Sequence, residues 1–236
     1  MSPIDRVVVA VPAHDEADLL PECLGSILHA AARVEAGGLD VSVVVAADAC
    51  TDGTADIVRS WAGAAPQVRL VAGSWRSAGL ARAAATEAGL RLGAAPMRRT
   101  WIATTDADSA VPAGWLATQL SLAADGWVGV AGIVRLAAEM TEPHTYEQFL
   151  RTYRVPGNGR HAHVHGANLG VRGDAYADIG GWAPVALAED HATWNELVRR
   201  GHPVIQSTES WVWTSGRLAG RAPGGFADTL AAARVA

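Results

Sequence analysis

Residues 101–112 read WIATTDADSAVP and set two carboxylates, Asp106 and Asp108, one residue apart. Five residues of strand propensity, Trp101 to Thr105, run into the pair. A strand sends alternate side chains to one face, so both carboxylates would point together off its end. Adjacent carboxylates repel unless a cation sits between them or they share a proton. Hard oxygen ligands of this kind suit Mg²⁺ or Mn²⁺. The plainer use of an isolated D-x-D is a turn residue followed by a cap. The positions of the other acidic residues decide between the two.

Those positions follow from the elements. Val7 to Val11 is an unbroken apolar β-branched run, as expected of a strand buried on both faces, and Pro12 to Glu16 break it. Leu20, Cys23, Leu24 and Ile27 recur with helical spacing, and Gly37-Gly38 close that helix. Val41 to Ala46 makes a second strand, after which Asp52-Gly53-Thr54 opens a helix burying Ile57, Val58 and Trp61. Val68 to Ala72 is a third strand, and an alanine-rich helix runs to about Gly93 before the strand at Trp101. Four strands alternating with helices imply a parallel α/β sheet, whose ligands bind beyond the carboxyl ends of the strands. His14, Asp15, Asp48, Asp106 and Asp108 all fall at those ends.

The second half is less regular. Helices are expected over 113–124, 143–153 and 189–200, the last with Trp194, Leu197 and Val198 on one face. Strands are expected near 128–131, 134–136, 166–171, 204–205 and 211–213. Residues 156–164 have no helical period and form a polar loop.

Composition narrows the function classes. The chain has 236 residues and a formal net charge of −5, with 19 basic residues, all arginine. A mildly acidic chain without a basic block is not a nucleic-acid binder. The absence of lysine excludes Schiff-base chemistry and a phosphate-loop lysine. Two cysteines, Cys23 and Cys50, make no disulfide framework and suit a cytoplasmic protein. The opening apolar run is too short for a signal peptide or a membrane span, which leaves peripheral membrane contact open.

Seven segments follow one another along nearly the whole chain: VVVAVPAHDEADLLPECLGSI, AADACTDGTADIV, SAGLARAAATEAG, TTDADSAVP, GANLGVRGDAYADIGGW, AEDHATWNELVRRGHPV and WTSGRLAGR. Together, in this order, they resemble the family 2 glycosyltransferases of the inverting GT-A type. The resemblance implies one GT-A domain over 1–236. Residues 1–112 would be its nucleotide-binding half and 113–236 its acceptor-binding half. It implies transfer of a sugar from a nucleotide-diphosphate sugar, UDP-linked first of all, to an acceptor hydroxyl.

By the same resemblance Asp108 ligates Mg²⁺ or Mn²⁺ and Asp106 touches ribose or metal-bound water. Pro12, His14, Glu16 and Asp48 form the base and ribose pocket. Glu189-Asp190 is the E-D motif, with Asp190 the general base. Many relatives place a histidine metal ligand in the late segment. Here it reads WTSGR, so Ser215, water or the diphosphate would take that place. Arg217 and Arg221 have spacing suited to phosphate, against the reading of a solvated tail. His165 and Asn168 belong to the acceptor-side segment, and Trp182 is placed either against a sugar face or in the core. His161, His163 and His165 alternate, which suits a second metal site, part of an acceptor pocket, or simply a polar loop. Two other readings stand beside the transferase. One is a nucleotide-sugar-binding scaffold without turnover. The other is a sugar-nucleotide nucleotidylyltransferase, which PAHDE after the first strand, lacking lysine, disfavours.

Overall fold

The computed structural model describes residues 3–137, 141–185, 187–218, 220 and 226–233. Strand β1 (Arg6–Ala13) is buried along its whole length, and α1 (Leu20–Glu35), β2 (Asp40–Asp48), α2 (Thr54–Ala64), β3 (Val68–Gly73), α3 (Ala78–Arg91) and β4 (Thr100–Thr104) follow in strict alternation. The second half contains β5 (Ser109–Ala110), α4 (Trp115–Ala124), β6 (Gly129–Leu136), α5 (Pro143–Thr152), β7 (Leu169–Arg172), α6 (Gly173–Asp178), α7 (Glu189–Arg199), β8 (Val204–Thr214) and α8 (Phe226–Ala233). All eight strands form one sheet in the order β3-β2-β1-β4-β7-β6-β8-β5.

The first four strands are mutually parallel, and the chain builds outward from β1 to β3 before returning to set β4 on the other side of β1. The strand order therefore reverses between β1 and β4, the place where open α/β sheets hold ligands. Beyond β4 the pairings with β7 and of β7 with β6 are antiparallel, β6 with β8 is parallel, and β8 with β5 is antiparallel. The sheet is mostly parallel, with its reversals confined to the second half.

Alternation on the strands sorts the core into two layers. Val7, Val9 and Val11 of β1 pack with Leu20, Leu24 and Ile27 of α1. Ala10, Val44 and Ala46 face Ala81 and Ala85 of α3 on the other side. Small residues let α3 lie directly on the sheet. A Cβ placed on Gly89 would overlap the Val8 side chain. Gly89→Ala is therefore expected to destabilise the protein by about 1–2 kcal/mol, overpacking outweighing the helix propensity gained. Urea denaturation measures it, and an unchanged midpoint would contradict the packing argument.

Several boundaries differ from the sequence reading. Strand β1 runs through Pro12 to Ala13 rather than breaking at Pro12. Proline is tolerated because β4 leaves β1 after the Ala10–Thr104 pair, so β1 has only β2 beside it there. The separate strands expected at 128–131 and 134–136 are one strand with an irregularity between Ala131 and Ile133, and those expected at 204–205 and 211–213 join as β8. Residues 166–168 form a 3-10 turn ahead of β7. Val198 is 52% exposed, on the outer face of α7, whereas Trp194 and Leu197 are buried as expected. Helices α6 and α8 and the short β5 are additions. No helix among the described residues is long and apolar enough to cross a membrane.

Candidate active site

The carboxyl ends of β1, β2 and β3 each turn through a non-glycine residue in the left-handed region: Asp15 (φ 51°), Ala49 (φ 49°) and Arg76 (φ 51°). The fourth such residue among those described, Ala188 (φ 55°), immediately precedes α7. L-residues avoid this region, and where they occupy it they cluster at sites whose geometry the surroundings enforce. Three of the four lie in the loops after β1, β2 and β3, and the fourth opens α7.

The enforcing contacts are visible. Asp48, at the end of β2, accepts the backbone N–H of Arg76 at 2.7 Å and of Ser77 at 2.9 Å, one on each carboxylate oxygen. It thereby fixes the loop into α3. A nucleobase would have to use its remaining lone pairs. His14 donates from Nδ1 to the Asp48 carbonyl at 2.6 Å and keeps its other edge near the surface. Asp15 accepts the N–H groups of Thr51 (2.6 Å) and Asp52 (3.2 Å), tying the first loop to the second and holding its own carboxyl below the usual range. Asp15, Cys50 and Asp52 are the one group among the described residues with metal-like spacing, and those two N–H bonds account for the turn of Asp15 toward them.

Strand β4 ends at Thr104, so Asp106 and Asp108 do not alternate along a strand as the sequence suggested. They lie in the turn that follows, closed by the Ser109 N–H on the Asp106 carbonyl at 3.0 Å. The consequence is that the two carboxylates face different partners.

Asp106 faces Arg82. This arginine projects from α3, is 2% exposed, and spends its donors on three groups. Nε donates to Thr104 Oγ1 at 2.9 Å, Nη2 to Asp106 Oδ1 at 2.7 Å, and Nη1 to Glu189 Oε1 in a close ion pair. Burial is offset by Asp106, Glu189 and Asp190, which hold the guanidinium charged. Two glycines make the space: a Cβ on Gly79 would stand 2.8 Å from Glu189 Cγ, and one on Gly166 would stand 2.6 Å from Arg82 Nη2. Trp182 walls the guanidinium at 5.7 Å and donates its indole N–H to Thr86 Oγ1 at 2.8 Å. It is 5% exposed, so its ring belongs to the core rather than to a sugar face.

Asp108 faces Glu16 and Arg217. Arg217 makes a forked contact with Glu16 at 2.9 and 2.5 Å and lies 3.0 Å from Asp108 Oδ2. Burial, with Asp106 and Glu16 close by, pushes Asp108 up to about 7 despite Arg217. Among the described residues this corner sets Asp106, Asp108 and Glu16 against Arg217. Arg221 lies outside the described residues. Ser215 Oγ accepts the Arg217 N–H at 3.3 Å.

Asp190, in the first turn of α7, accepts the Gly166 N–H at 2.8 Å and the His191 N–H at 2.7 Å on separate oxygens. His165, adjacent to Gly166, has its Nε2 2.8 Å from the Tyr153 hydroxyl, which itself accepts the Val134 N–H. Burial pushes this imidazole down to about 3, so it stays neutral. Asn168 is fully buried. Its Oδ1 accepts from Trp115 and Ser210 at 2.9 Å each, and its amide donates to the Ile133 carbonyl at 3.0 Å. It braces β6, β8 and α4 and has no exposed edge for an acceptor. The alternating histidines do not converge on an ion. His163 stacks on Tyr153 at 3.9 Å and donates to the Arg154 carbonyl, while His161 Nδ1 accepts the His163 N–H.

The sequence reading missed Arg82. Its signal was present: Ala81, Arg82, Ala85, Thr86 and Gly89 share the buried face of α3, and arginine is the one charged residue on it.

The model of glycosyl transferase family 2 matches residues 8–177. No curated protein matches the chain. Among solved structures, the mannosyltransferase PcManGT from Pyrobaculum calidifontis in complex with GDP-Man and Mn²⁺ is 23% identical, with a TM-score of 0.63 over 91% of this chain and 58% of that one. S. aureus TarS 1-349 is 12% identical, with a TM-score of 0.61 over 90% and 60%. GalNAc-T7 with UDP, GalNAc and Mn²⁺ is 11% identical, with a TM-score of 0.64 over 93% and 46%. The chain spans three-fifths or less of each of these proteins, and what it shares with them is the GT-A fold. With the family match covering well over half of its residues, the chain belongs to glycosyl transferase family 2.

Proposed function

We propose that this protein moves a sugar from a nucleoside-diphosphate sugar to an acceptor hydroxyl with inversion. The observation that supports it most is the Arg82 clamp, which joins the D-x-D turn to the E-D helix across 83 residues of sequence, beside the crevice where such a donor would lie. The donor diphosphate lies against Asp108 and Glu16, and the nucleoside lies over His14, Pro12 and Asp48. A free lone pair on Asp48 accepts the imide N–H of uracil, or that of guanine. Residues 1–112 supply most of the donor contacts, and the acceptor lies against residues 113–236.

The donor set fits a divalent cation. Asp108 and its acidic neighbours are hard oxygen donors, and Mg²⁺ and Mn²⁺ commonly take one or two carboxylates plus phosphate oxygens. Such an ion supplies neutralisation of the charge that builds on the leaving diphosphate. Asp106, held by Arg82, takes the ribose contact in this reading. Asp190 accepts the proton of the acceptor hydroxyl as its oxygen bonds to the anomeric carbon from the face opposite the departing diphosphate. The Gly166 and His191 N–H groups fix the orientation of this carboxylate at the start of α7. His165, neutral, orients the loop through Tyr153 and moves no proton.

A thermal-shift panel of UDP-, GDP- and dTDP-sugars with and without Mn²⁺ tests the reading. One donor with Mn²⁺ is expected to stabilise the protein by about 2.7 kcal/mol at a hundredfold excess over its dissociation constant. Asp108→Asn should lose the metal-dependent part of that shift. It should also raise the stability of the unliganded protein above pH 7. The raised folded-state pKa means that ionising Asp108 costs stability as pH rises through about 7, and asparagine escapes that cost. An unchanged metal-dependent shift in Asp108→Asn would remove the cation from this corner. Stabilisation by donor without hydrolysis or transfer would favour the binding scaffold.

A further inference from the structure

The residue standing on the proposed cation ligands is itself a cation. Arg217 bridges Glu16 and Asp108 with three contacts of 2.5 to 3.0 Å. It reaches them from the segment just after β8, whose stem is fixed where Trp213 and Thr214 pair with Ala110 and Ser109, next to Asp108 itself. Glu16 is 5% exposed and the Asp108 side chain 14%, so the pair sits away from bulk water, where screening is weak. A guanidinium and a divalent ion cannot share one carboxylate edge without strong mutual repulsion. A diphosphate changes the balance. It brings negative charge for both cations, and its oxygens match the arginine fork as well as a carboxylate does.

We propose that Arg217 is an intramolecular counter-cation that occupies Asp108 and Glu16 until a nucleoside diphosphate arrives, and then exchanges these carboxylates for the diphosphate. Divalent cation and nucleotide then bind as a unit, and the cation alone binds poorly. The inference rests on Asp108 being the cation's ligand. It adds a residue and an order of events that this reading does not require. It also gives the late segment a role in place of the histidine ligand it lacks. The arginine excludes the ion from the unliganded protein and is released to hold the leaving group.

Mn²⁺ binding, followed by the paramagnetic resonance signal of the free ion, tests the exchange without any turnover. The full chain, R217K and R217Q are titrated with Mn²⁺ alone, with UDP or GDP alone, and with Mn²⁺ at saturating nucleotide. In R217Q, Mn²⁺ alone should bind about tenfold more tightly than in the unaltered protein, and the mutual enhancement between Mn²⁺ and nucleotide should fall by about tenfold. R217K should fall between them, because an ammonium keeps the charge and loses the fork. Unchanged affinity for Mn²⁺ alone in both variants, with Mn²⁺-nucleotide still bound, overturns the exchange and leaves the donor site standing. Failure of every protein to bind Mn²⁺ with nucleotide overturns both.

Discussion

Asp190→Asn is expected to lower the rate of sugar transfer by about 10²- to 10⁴-fold, the usual contribution of a positioned general base. Donor affinity should stay within about twofold, because the loss falls on the reacting proton and not on ground-state binding. The substitution keeps the shape of the side chain. Its carbonyl can still accept one of the two N–H groups now held, from Gly166 or His191, while its NH₂ faces the other. That mismatch costs about 1–3 kcal/mol of stability, so the assay belongs well below the melting transition. Two neighbours are poor replacements as base. His165 is pushed down to about 3 by burial, and Glu189 is engaged by Arg82. Single-turnover measurement with saturating donor gives the chemical step directly. A near-native rate would transfer the base role elsewhere.

Arg82→Met is expected to cost about 3–5 kcal/mol of folding stability at pH 7.5, the loss found when one partner of a buried ion pair is removed. The penalty arises chiefly from Glu189, whose side chain is 12% exposed. Asp106, at 38%, contributes less because water screens it. The sign of the pH dependence distinguishes this from simple loss of packing. Without the guanidinium, Glu189 loses its ion-pair partner and Asp106 loses the charge that offsets the upward push of its burial. Ionised Asp106 then costs stability, and protonation relieves that cost. The deficit of the variant should therefore shrink as pH falls from 7.5 to 5. Adding Glu189→Gln to Arg82→Met should recover much of the loss, the non-additivity expected of groups in contact. A deficit below about 1 kcal/mol, or one independent of pH, would mean that the clamp is not under electrostatic load.

Arg82 touches Asp106 in the turn after β4 and Glu189 at the start of α7, where Asp190 is the next residue, so the proposed donor and acceptor sides share one side chain. Displacing the guanidinium should degrade donor binding and transfer together, whereas Asp190→Asn degrades transfer alone. That contrast separates a positioning residue from a group that touches the reacting atoms.

Periodicity and propensity carry most of the architecture, because they are local. The β-branched runs at 7–11 and 41–46 and the helical spacing of α1 identify elements without knowledge of their neighbours. Their alternation leaves a parallel sheet as the packing that buries them on both faces. From that alone His14, Asp48, Asp106 and Asp108 gather at one end of the sheet. What the sequence could not decide is what each of these side chains faces. Asp106 and Asp108 looked equivalent by alternation, but β4 ends at Thr104, and the turn sends one to Arg82 and the other to Glu16 and Arg217. Asn168 looked available to an acceptor and is spent inside the core, and Trp182, left between a sugar face and the core, packs in the core. These outcomes hang on partners 24 to 201 residues away. The energy of a charge or a polar group in a folded chain is set by burial and by whatever lies within a few ångströms, and both are properties of the assembled sheet.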